Sequence, residues 1–353
     1  MEHRRPLRFV IAGTGAMARY HVSRFSAFRD LQFVGCYDRC HQRAETFSRE
    51  MGIPHAASDL DLLLGNGPVD AVCAAVADSE HHHIVTSALR HNTPVFVEKP
   101  FMMTLGEAES VVALQARHRV PIMVNFSKLN YPAILGLVCG ADYGMAGAPR
   151  HLELSYLQSW IISTVWGEWW KNPRWLWRIS SSHGGGGALR DLGSHLVYLA
   201  LRIGGKITSY QVSTSKEAPR HAAAGSGFSC DMNDTFVIEA EHATGLRTTI
   251  RGSYAAPGHI NTVRARYTGR DQTLVADTGA DSNTMTVSGH GPSASAAHQL
   301  HFRKVYSTYH SFIDGLRRSQ SWDTFAPSAA SALAVQRVID EGEDHGMSRS
   351  SGE

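Results

Sequence analysis

Nowhere does the 353-residue chain contain a run approaching the roughly 20 apolar residues that a bilayer-crossing helix needs. No membrane role is expected. Cysteine is sparse: Cys36, Cys40, Cys73, Cys139 and Cys230 make an odd count, without the spacing of a disulfide framework or a metal site. Free thiols in a reducing cytoplasm follow, and no metal is expected. Charge of one sign is also lacking, because a net charge of +2 offers no basic stripe for nucleic acid or an acidic membrane surface. The opening stretch MEHRRPLRFVIAG enters a strand at once and leaves no room for a signal peptide, so the expected location is cytoplasmic. What the chain does have is 43% hydrophobic and 19% charged residues, the composition of a soluble globular protein with one large or two ordinary domains.

One stretch organises the rest. Val95–Pro100, VFVEKP, starts as a β-branched and aromatic strand and stops at a proline that cannot continue the ladder. Lys99 thus stands at the carboxyl end of a strand, where open α/β sheets place their ligands. Upstream, Leu7–Gly13 is an apolar strand running into Gly13-Thr14-Gly15-Ala16-Met17-Ala18, which fits G-x-G-x-x-G/A. Gly13 allows the tight turn, Gly15 lets backbone approach a pyrophosphate, and Ala18 lets helix and strand pack closely. A second strand, Leu31–Tyr37, ends in Asp38, the expected place for a ribose-binding acid, with Arg39 beside it.

Val69–Val76 reads as a third buried strand, with Asp78 and Ser79 as caps for a helix over Glu80–Arg90. His81–His83 point in different directions on a helix and cannot share one ion well. Thr104-Leu105-Gly106-Glu107 is a capping box opening a helix to about His118, and Pro121–Phe126 is a further strand. This alternation predicts a parallel, doubly wound sheet over residues 1–126. Residues 127–342 are expected to form an α+β domain with an antiparallel sheet covered by helices on one side. Gly279–Ala297 reads as a hairpin plus loop, His310–Arg318 and Ala329–Gly342 as closing helices, and residues 343–353 as a disordered tail.

The second domain holds a helix from about Ala188 to Ile203, preceded by Gly184–Gly187. Leu189, Leu192, Leu196, Leu199 and Ile203 fall on one core stripe. Asp191, His195, Tyr198 and Arg202 fall on another face, and Asp191 and His195 stand at i, i+4, so their side chains can meet. A carboxylate beside an imidazole orients the ring and raises its basicity, as a general base requires. Before this helix, six of the seven tryptophans fall between Trp160 and Trp177. Indole suits sugar rings, so at least one of Trp166, Trp169, Trp170 and Trp175 is expected to line a pocket as part of a lid, against packing or a subunit interface as the alternative.

Together these motifs resemble the Gfo/Idh/MocA oxidoreductases: AGTGAMARYH with His21, Asp38, EKP at Glu98–Pro100, Trp177-Arg178, and GGGALRDLGSH ending at His195. The resemblance implies a Rossmann domain followed by an α+β substrate domain. It also implies a catalytic trio of Lys99, Asp191 and His195. Cofactor contacts are expected from Gly13, Thr14, Gly15, Ala16, Met17, Asp38, Arg39, Glu98 and Lys99, with NAD favoured over NADP. Substrate contacts are expected from Lys128, Trp170, Arg178 and His183. Tyr198 departs from the aspartate the family usually carries there, and Leu129 from its arginine.

The resulting expectation is a dehydrogenase or ketoreductase for a secondary alcohol of a sugar, sugar phosphate or cyclitol, assembled as a homodimer or homotetramer. The resemblance reaches further, toward inositol dehydrogenases and the sugar dehydrogenases of aminosugar biosynthesis. A non-catalytic dinucleotide-sensing regulator and an NAD-dependent glycosidase are the alternatives, separable by oxidoreductase turnover and by aglycone release without net cofactor turnover.

Overall fold

In a computed structural model, which describes residues 5–289, 297–303, 306–318 and 327–347, the chain divides into two compact units. The first comprises Met1–Phe126 with Thr308–Gln336, the second Ser127–Ser307 with Arg337–Glu353. The segment Thr308–Gln336 thus groups with the first unit, although its place in the chain assigns it to the second.

The first unit carries β1 (Leu7–Ala12), β2 (Leu31–Tyr37), β3 (His55–Ala57), β4 (Ala71–Ala74), β5 (Val95–Val97) and β6 (Ile122–Val124). They pair in parallel in the order β3-β2-β1-β4-β5-β6. β4, β5 and β6 are buried along their whole length, which is why they read as unbroken apolar runs rather than alternating ones. The crossovers are α1 (Ala16–Phe25), α2 (His41–Met51), α3 (Leu60–Gly65), α4 (His81–Arg90) and α5 (Leu105–His118). At the start of α5, Thr104 accepts from the Glu107 N–H at 3.2 Å, and Glu107 accepts in return from the Met103 N–H at 3.1 Å. Asp78 and Ser79 stand before the N-cap position of α4, which is Glu80: they lie inside a single 3₁₀ turn, Asp78–Glu80, closed by the Glu80 N–H on the Ala77 carbonyl at 2.8 Å.

The core of this unit is aromatic. Phe9, Phe25, Phe33 and Phe96 meet edge to face, and Tyr309 and Phe312 join them from α9 (Thr308–Arg318). Each buried ring contributes roughly 1.5–3 kcal/mol, which accounts for the attachment of a late helix to an early sheet. The three consecutive histidines diverge as expected: His81 is buried with Nδ1 2.9 Å from the Pro100 carbonyl, and His82 turns to Ser110.

The second unit begins with α6 (Pro132–Asp142), which the sequence reading did not identify, and β7 (Pro149–Leu157). A short α7 (Pro173–Leu176), α8 (Ser194–Gly204) and β8 (Ile207–Ser215) follow. Next come β9 (Thr235–His242), β10 (Arg247–Ser253), β11 (Thr262–Gly269), β12 (Gln272–Asp277), β13 (Thr284–Gly289) and β14 (His298–His301). The eight strands pair in the order β14-β13-β12-β11-β7-β10-β9-β8. The sheet is not wholly antiparallel, because β10 runs parallel to β7 in the middle of it. β9 buries every second residue, leaving Val237, Glu239 and Glu241 on an outward face. Of the hairpin expected in Gly279–Ala297 only β13 falls within those bounds; the strand it pairs with, β14, lies just beyond them, and residues 290–296 between the two lie outside the described residues. The last helix, α10 (Ala329–Met347), runs past Gly342, so residues 343–347 are helical rather than a loose tail. Residues 348–353 lie outside the described residues.

The tryptophans pack largely on one another. Trp160 is buried, its ring centroid 5.9 Å from Trp169, 5.6 Å from Trp175 and 4.9 Å from Tyr254. Trp166 stacks on Trp175 at 5.0 Å. Trp160→Ala is therefore expected to destabilise the protein by about 3–5 kcal/mol, measured by urea unfolding. A loss below about 1 kcal/mol would show that the cluster is not core.

Candidate functional site

In the first unit, β1 ends at Ala12 and the chain turns at Gly13 with φ +101°. A Cβ there would lie 2.3 Å from the Ala75 carbonyl oxygen, so only glycine lets the turn pass over the end of β4. Gly15 is different: a Cβ on it would meet nothing within 4 Å. It precedes α1 without any side-chain cap, so the first N–H groups of Ala16, Met17 and their neighbours face outward at the positive end of the helix dipole. The expected acid stands at the end of β2. Asp38 Oδ2 accepts from the Thr14 hydroxyl at 2.6 Å, and Oδ1 from the Cys40 N–H at 2.9 Å and Arg43 Nη2 at 2.8 Å. Burial alone would raise its pKa, but these three donors hold the carboxyl below its usual range. Free amides, clear space over Gly15 and an ionised carboxylate are the donor set a dinucleotide requires, so these residues fit one.

Arg43, not Arg39, is the guanidinium on Asp38. Arg39 is exposed and lies 3.4 Å from Glu80, while Arg43 reaches back from the first turn of α2. Its only signal in the sequence is its place five residues after the acid. Lys99 is half-buried at the end of β5. The Glu98 carboxylate beside it meets protein groups: Asn125 donates to Oε1 at 2.7 Å and the Lys99 N–H to Oε2 at 3.2 Å.

In the second unit the helix expected over Ala188–Ile203 opens with a π-turn, Leu189–Gly193, and becomes α-helical only at Ser194. Such a bulge shifts the register by one residue and often marks a functional site. The polar face is largely buried rather than solvated: His195 is 4% and Tyr198 1% exposed, and only Asp191 and Arg202 are partly open. Burial pushes the Tyr198 phenol far up, so it stays protonated. Tyr254, at the end of β10, donates to Asp191 Oδ2 at 2.7 Å, and Arg178 Nε lies 3.7 Å from the same oxygen. The Tyr156 ring is 6.1 Å from His195, and Lys128 Nζ sits 4.7 Å over that ring. Burial and the Asp191 charge drive both Tyr156 and Tyr254 well above the usual phenol range, so both remain donors at neutral pH.

The second unit thus gathers Asp191, His195, Lys128 and Arg178 into one group, joined by Tyr156 and Tyr254, which nothing in their sequence surroundings announces. The described contacts of two other candidates lie elsewhere. Trp170 packs edge-on against Trp169, and His183 is exposed with Nδ1 2.9 Å from Ser180 Oγ and its ring against Phe228. The glycine run makes close approaches to the chain's own backbone. A Cβ on Gly185 would overlap the Trp177 carbonyl, and one on Gly187 would lie 2.6 Å from that of Asn233.

Two family models match the chain. Residues 7–126 match the oxidoreductase family with an NAD-binding Rossmann fold, and residues 141–275 match the GFO/IDH/MocA C-terminal domain. The chain belongs to the GFO/IDH/MocA oxidoreductase family. The chain is 24% identical to a D-apiose dehydrogenase of Paraburkholderia graminis over 70% of its length and 60% of that protein's. It is 30% identical to an inositol 2-dehydrogenase of Acidothermus cellulolyticus over 46% of its length and 48% of the relative's. The chain therefore spans less than two thirds of the length of these curated relatives. Its fold matches a levoglucosan dehydrogenase solved with NADH, with a TM-score of 0.85 over 98% of both chains at 18% identity. The residues matched by the family's NAD-binding Rossmann fold are those of the first unit's parallel sheet, with Gly13–Gly15 in the turn between β1 and α1 and Asp38 just past β2. Among the described residues no group of three or more His, Cys, Asp and Glu side chains could hold a metal ion, and no helix is long and apolar enough to cross a membrane.

Proposed function

We propose that the protein is an NAD-dependent dehydrogenase or ketoreductase acting on a secondary alcohol or ketone of a sugar, sugar phosphate or cyclitol, working in the cytoplasm. The observation that carries this reading is the buried His195 grouped with Asp191, whose carboxylate Tyr254 fixes in place. NAD, when bound, takes up or returns a hydride at its nicotinamide ring. His195 takes the proton from the substrate hydroxyl as a general base. Lys99 holds the substrate oxygen and stabilises the negative charge that develops on it. Asp191 orients the imidazole or accepts from a neighbouring hydroxyl, while Lys128 and Arg178 supply positive charge for a phosphate or further hydroxyls. The relatives named for apiose, inositol and levoglucosan support a polyhydroxylated substrate. The outward face of the eight-stranded sheet supports a homodimer or homotetramer, which sedimentation measures.

The test is a panel of cyclitols, aldoses and sugar phosphates with NAD, followed by the absorbance of the reduced cofactor. Turnover of at least one is expected, and binding of NADH without turnover of any would favour a sensing regulator. Asp38 accepts ribose hydroxyls and repels a 2′-phosphate, so NAD is expected to bind at least about tenfold tighter than NADP. Asp38→Ser should erode that ratio in fluorescence titrations with NADH and NADPH. An NADP preference in the parent protein would overturn the assignment.

A further inference from the structure

We propose that Asn233 is a positioning residue for Asp191 and His195, its side-chain oxygen holding the start of the π-turn that sets their relative direction. The proposal rests on the reading of these two side chains as the pair that handles the proton in a dehydrogenase. A π-turn is rare, and it persists where surrounding groups hold it. The turn Leu189–Gly193 has no side-chain cap of its own, since the residue before it is Ala188. The first amides of a helix also find no partner within it. Asn233, 44 residues after Leu189, supplies partners for both. Its backbone carbonyl accepts from the Ala188 N–H at 3.1 Å, and its Oδ1 from the Leu189 N–H at 2.9 Å, with all three residues buried. Gly187 lets the chain come this close: its φ is +65°, and a Cβ there would lie 2.8 Å from Asn233 Oδ1.

Asn233 is itself anchored on both sides. The Met232 N–H donates to the Ile179 carbonyl at 3.0 Å. The wholly buried Asp234 carboxylate accepts from the Glu217 and Ala218 amides at 2.9 Å each and from Arg220 Nη2 at 2.7 Å. The Asp234 carbonyl in turn accepts from the Tyr254 N–H at 2.8 Å. The Tyr254 hydroxyl donates to Asp191 Oδ2 at 2.7 Å and lies 3.3 Å from the Gly187 carbonyl. These contacts close a ring that runs from Asn233 through the π-turn to Asp191 and back along Tyr254 and Asp234. Opening the ring at Asn233 leaves the Leu189 N–H without its acceptor and lets the turn relax to the commoner α form. That is a slip of one residue, a rotation of about 100° around the helix axis. Asp191 lies inside the slipping turn and His195 beyond it, so the carboxylate and the imidazole lose their mutual direction.

The test compares Asn233→Ala with Asn233→Asp on a substrate turned over in the panel. Among the described residues nothing accepts from Asn233 Nδ2, so aspartate keeps the acceptor oxygen and gives up no bond. In Asn233→Ala, kcat should fall about 10- to 100-fold, with KM and NADH affinity within about twofold of the parent. Asn233→Asp should regain most of the rate. Hydrogen exchange of the peptide spanning residues 185–192, read by mass spectrometry, should speed about tenfold in Asn233→Ala and slow again in Asn233→Asp. Combining Asn233→Ala with Tyr254→Phe separates positioning from stability. Both open the same ring, so the double variant should lose far less than the product of the two single losses. Losses that multiply, unchanged exchange, a parent-like kcat in folded Asn233→Ala, or an Asn233→Asp protein that recovers nothing each overturn the proposal. Should Asn233→Ala fail to fold, Asn233→Ser, whose oxygen stops one bond short of the Leu189 N–H, decides by the same readings. A parent that turns over no member of the panel removes the reading of the site and the proposal with it. A working parent beside an unaffected variant removes the proposal alone.

Discussion

Lys99→Ala and His195→Ala are each expected to lower kcat by about 10²–10⁴-fold, the usual cost of removing a general base or a positioned charge. NADH affinity and Tm should stay near those of the parent. The two losses arise differently. Without His195 the hydroxyl proton has no acceptor, so the loss should shrink at high pH as hydroxide replaces the base. Without Lys99 the developing negative charge is unscreened and hydroxide does not replace an ammonium, so the loss should remain wherever the parent's amine is protonated. Neither side chain belongs to the aromatic core that holds the first unit together, and His195 is replaced on a helix whose other face still buries Leu192, Leu196 and Leu199. A variant that also lost NADH binding would point to misfolding. Near-normal kcat on a substrate found in the panel would remove that residue from the mechanism.

The first unit was readable because its constraints are local. A strand, a glycine turn and a helix follow within 19 residues, Leu7 to Phe25, and the acid that closes the motif stands at the end of the next strand. Parallel strands buried on both faces announce themselves as apolar runs. The second unit was readable only in class. Alternation reveals a half-wet strand but not the direction of its neighbour, so the parallel pairing of β10 with β7 left no trace. The Leu189, Leu192, Leu196 stripe fits α-helical spacing well enough to hide the π-turn beneath it. Site residues divide in the same way. Lys99, Asp38, Asp191 and His195 sit in short motifs, whereas Tyr254 reaches Asp191 from 63 residues away and Tyr309 reaches His21 from 288. Contacts of that range depend on the tertiary fold, and one sequence carries no record of them.

The two fingerprint glycines should fail in opposite ways when changed to alanine. Gly13 has φ +101°, where an L-residue costs roughly 1–2 kcal/mol, and its Cβ would overlap the Ala75 carbonyl carbon and oxygen, adding about 1–3 kcal/mol of strain. That carbonyl belongs to backbone just past β4 and cannot swing aside like a side chain. Nor can the turn move away, because the Gly13 N–H is bonded to the Tyr37 carbonyl at 2.8 Å and the next residue bonds Asp38. Gly13→Ala is therefore expected to lose about 3 kcal/mol or more of stability, with NADH binding falling as a consequence. Gly15 has φ −77° and ψ −172°, extended backbone that any residue adopts, and an added methyl would touch nothing in the chain. Gly15→Ala should leave unfolding within about 0.5 kcal/mol of the parent. Yet the methyl would stand where the backbone must approach a pyrophosphate, so NADH affinity should fall by at least about tenfold. Urea unfolding and NADH fluorescence on both variants separate the two effects. Parent-like affinity in a well-folded Gly15→Ala protein would mean that the dinucleotide does not approach this turn.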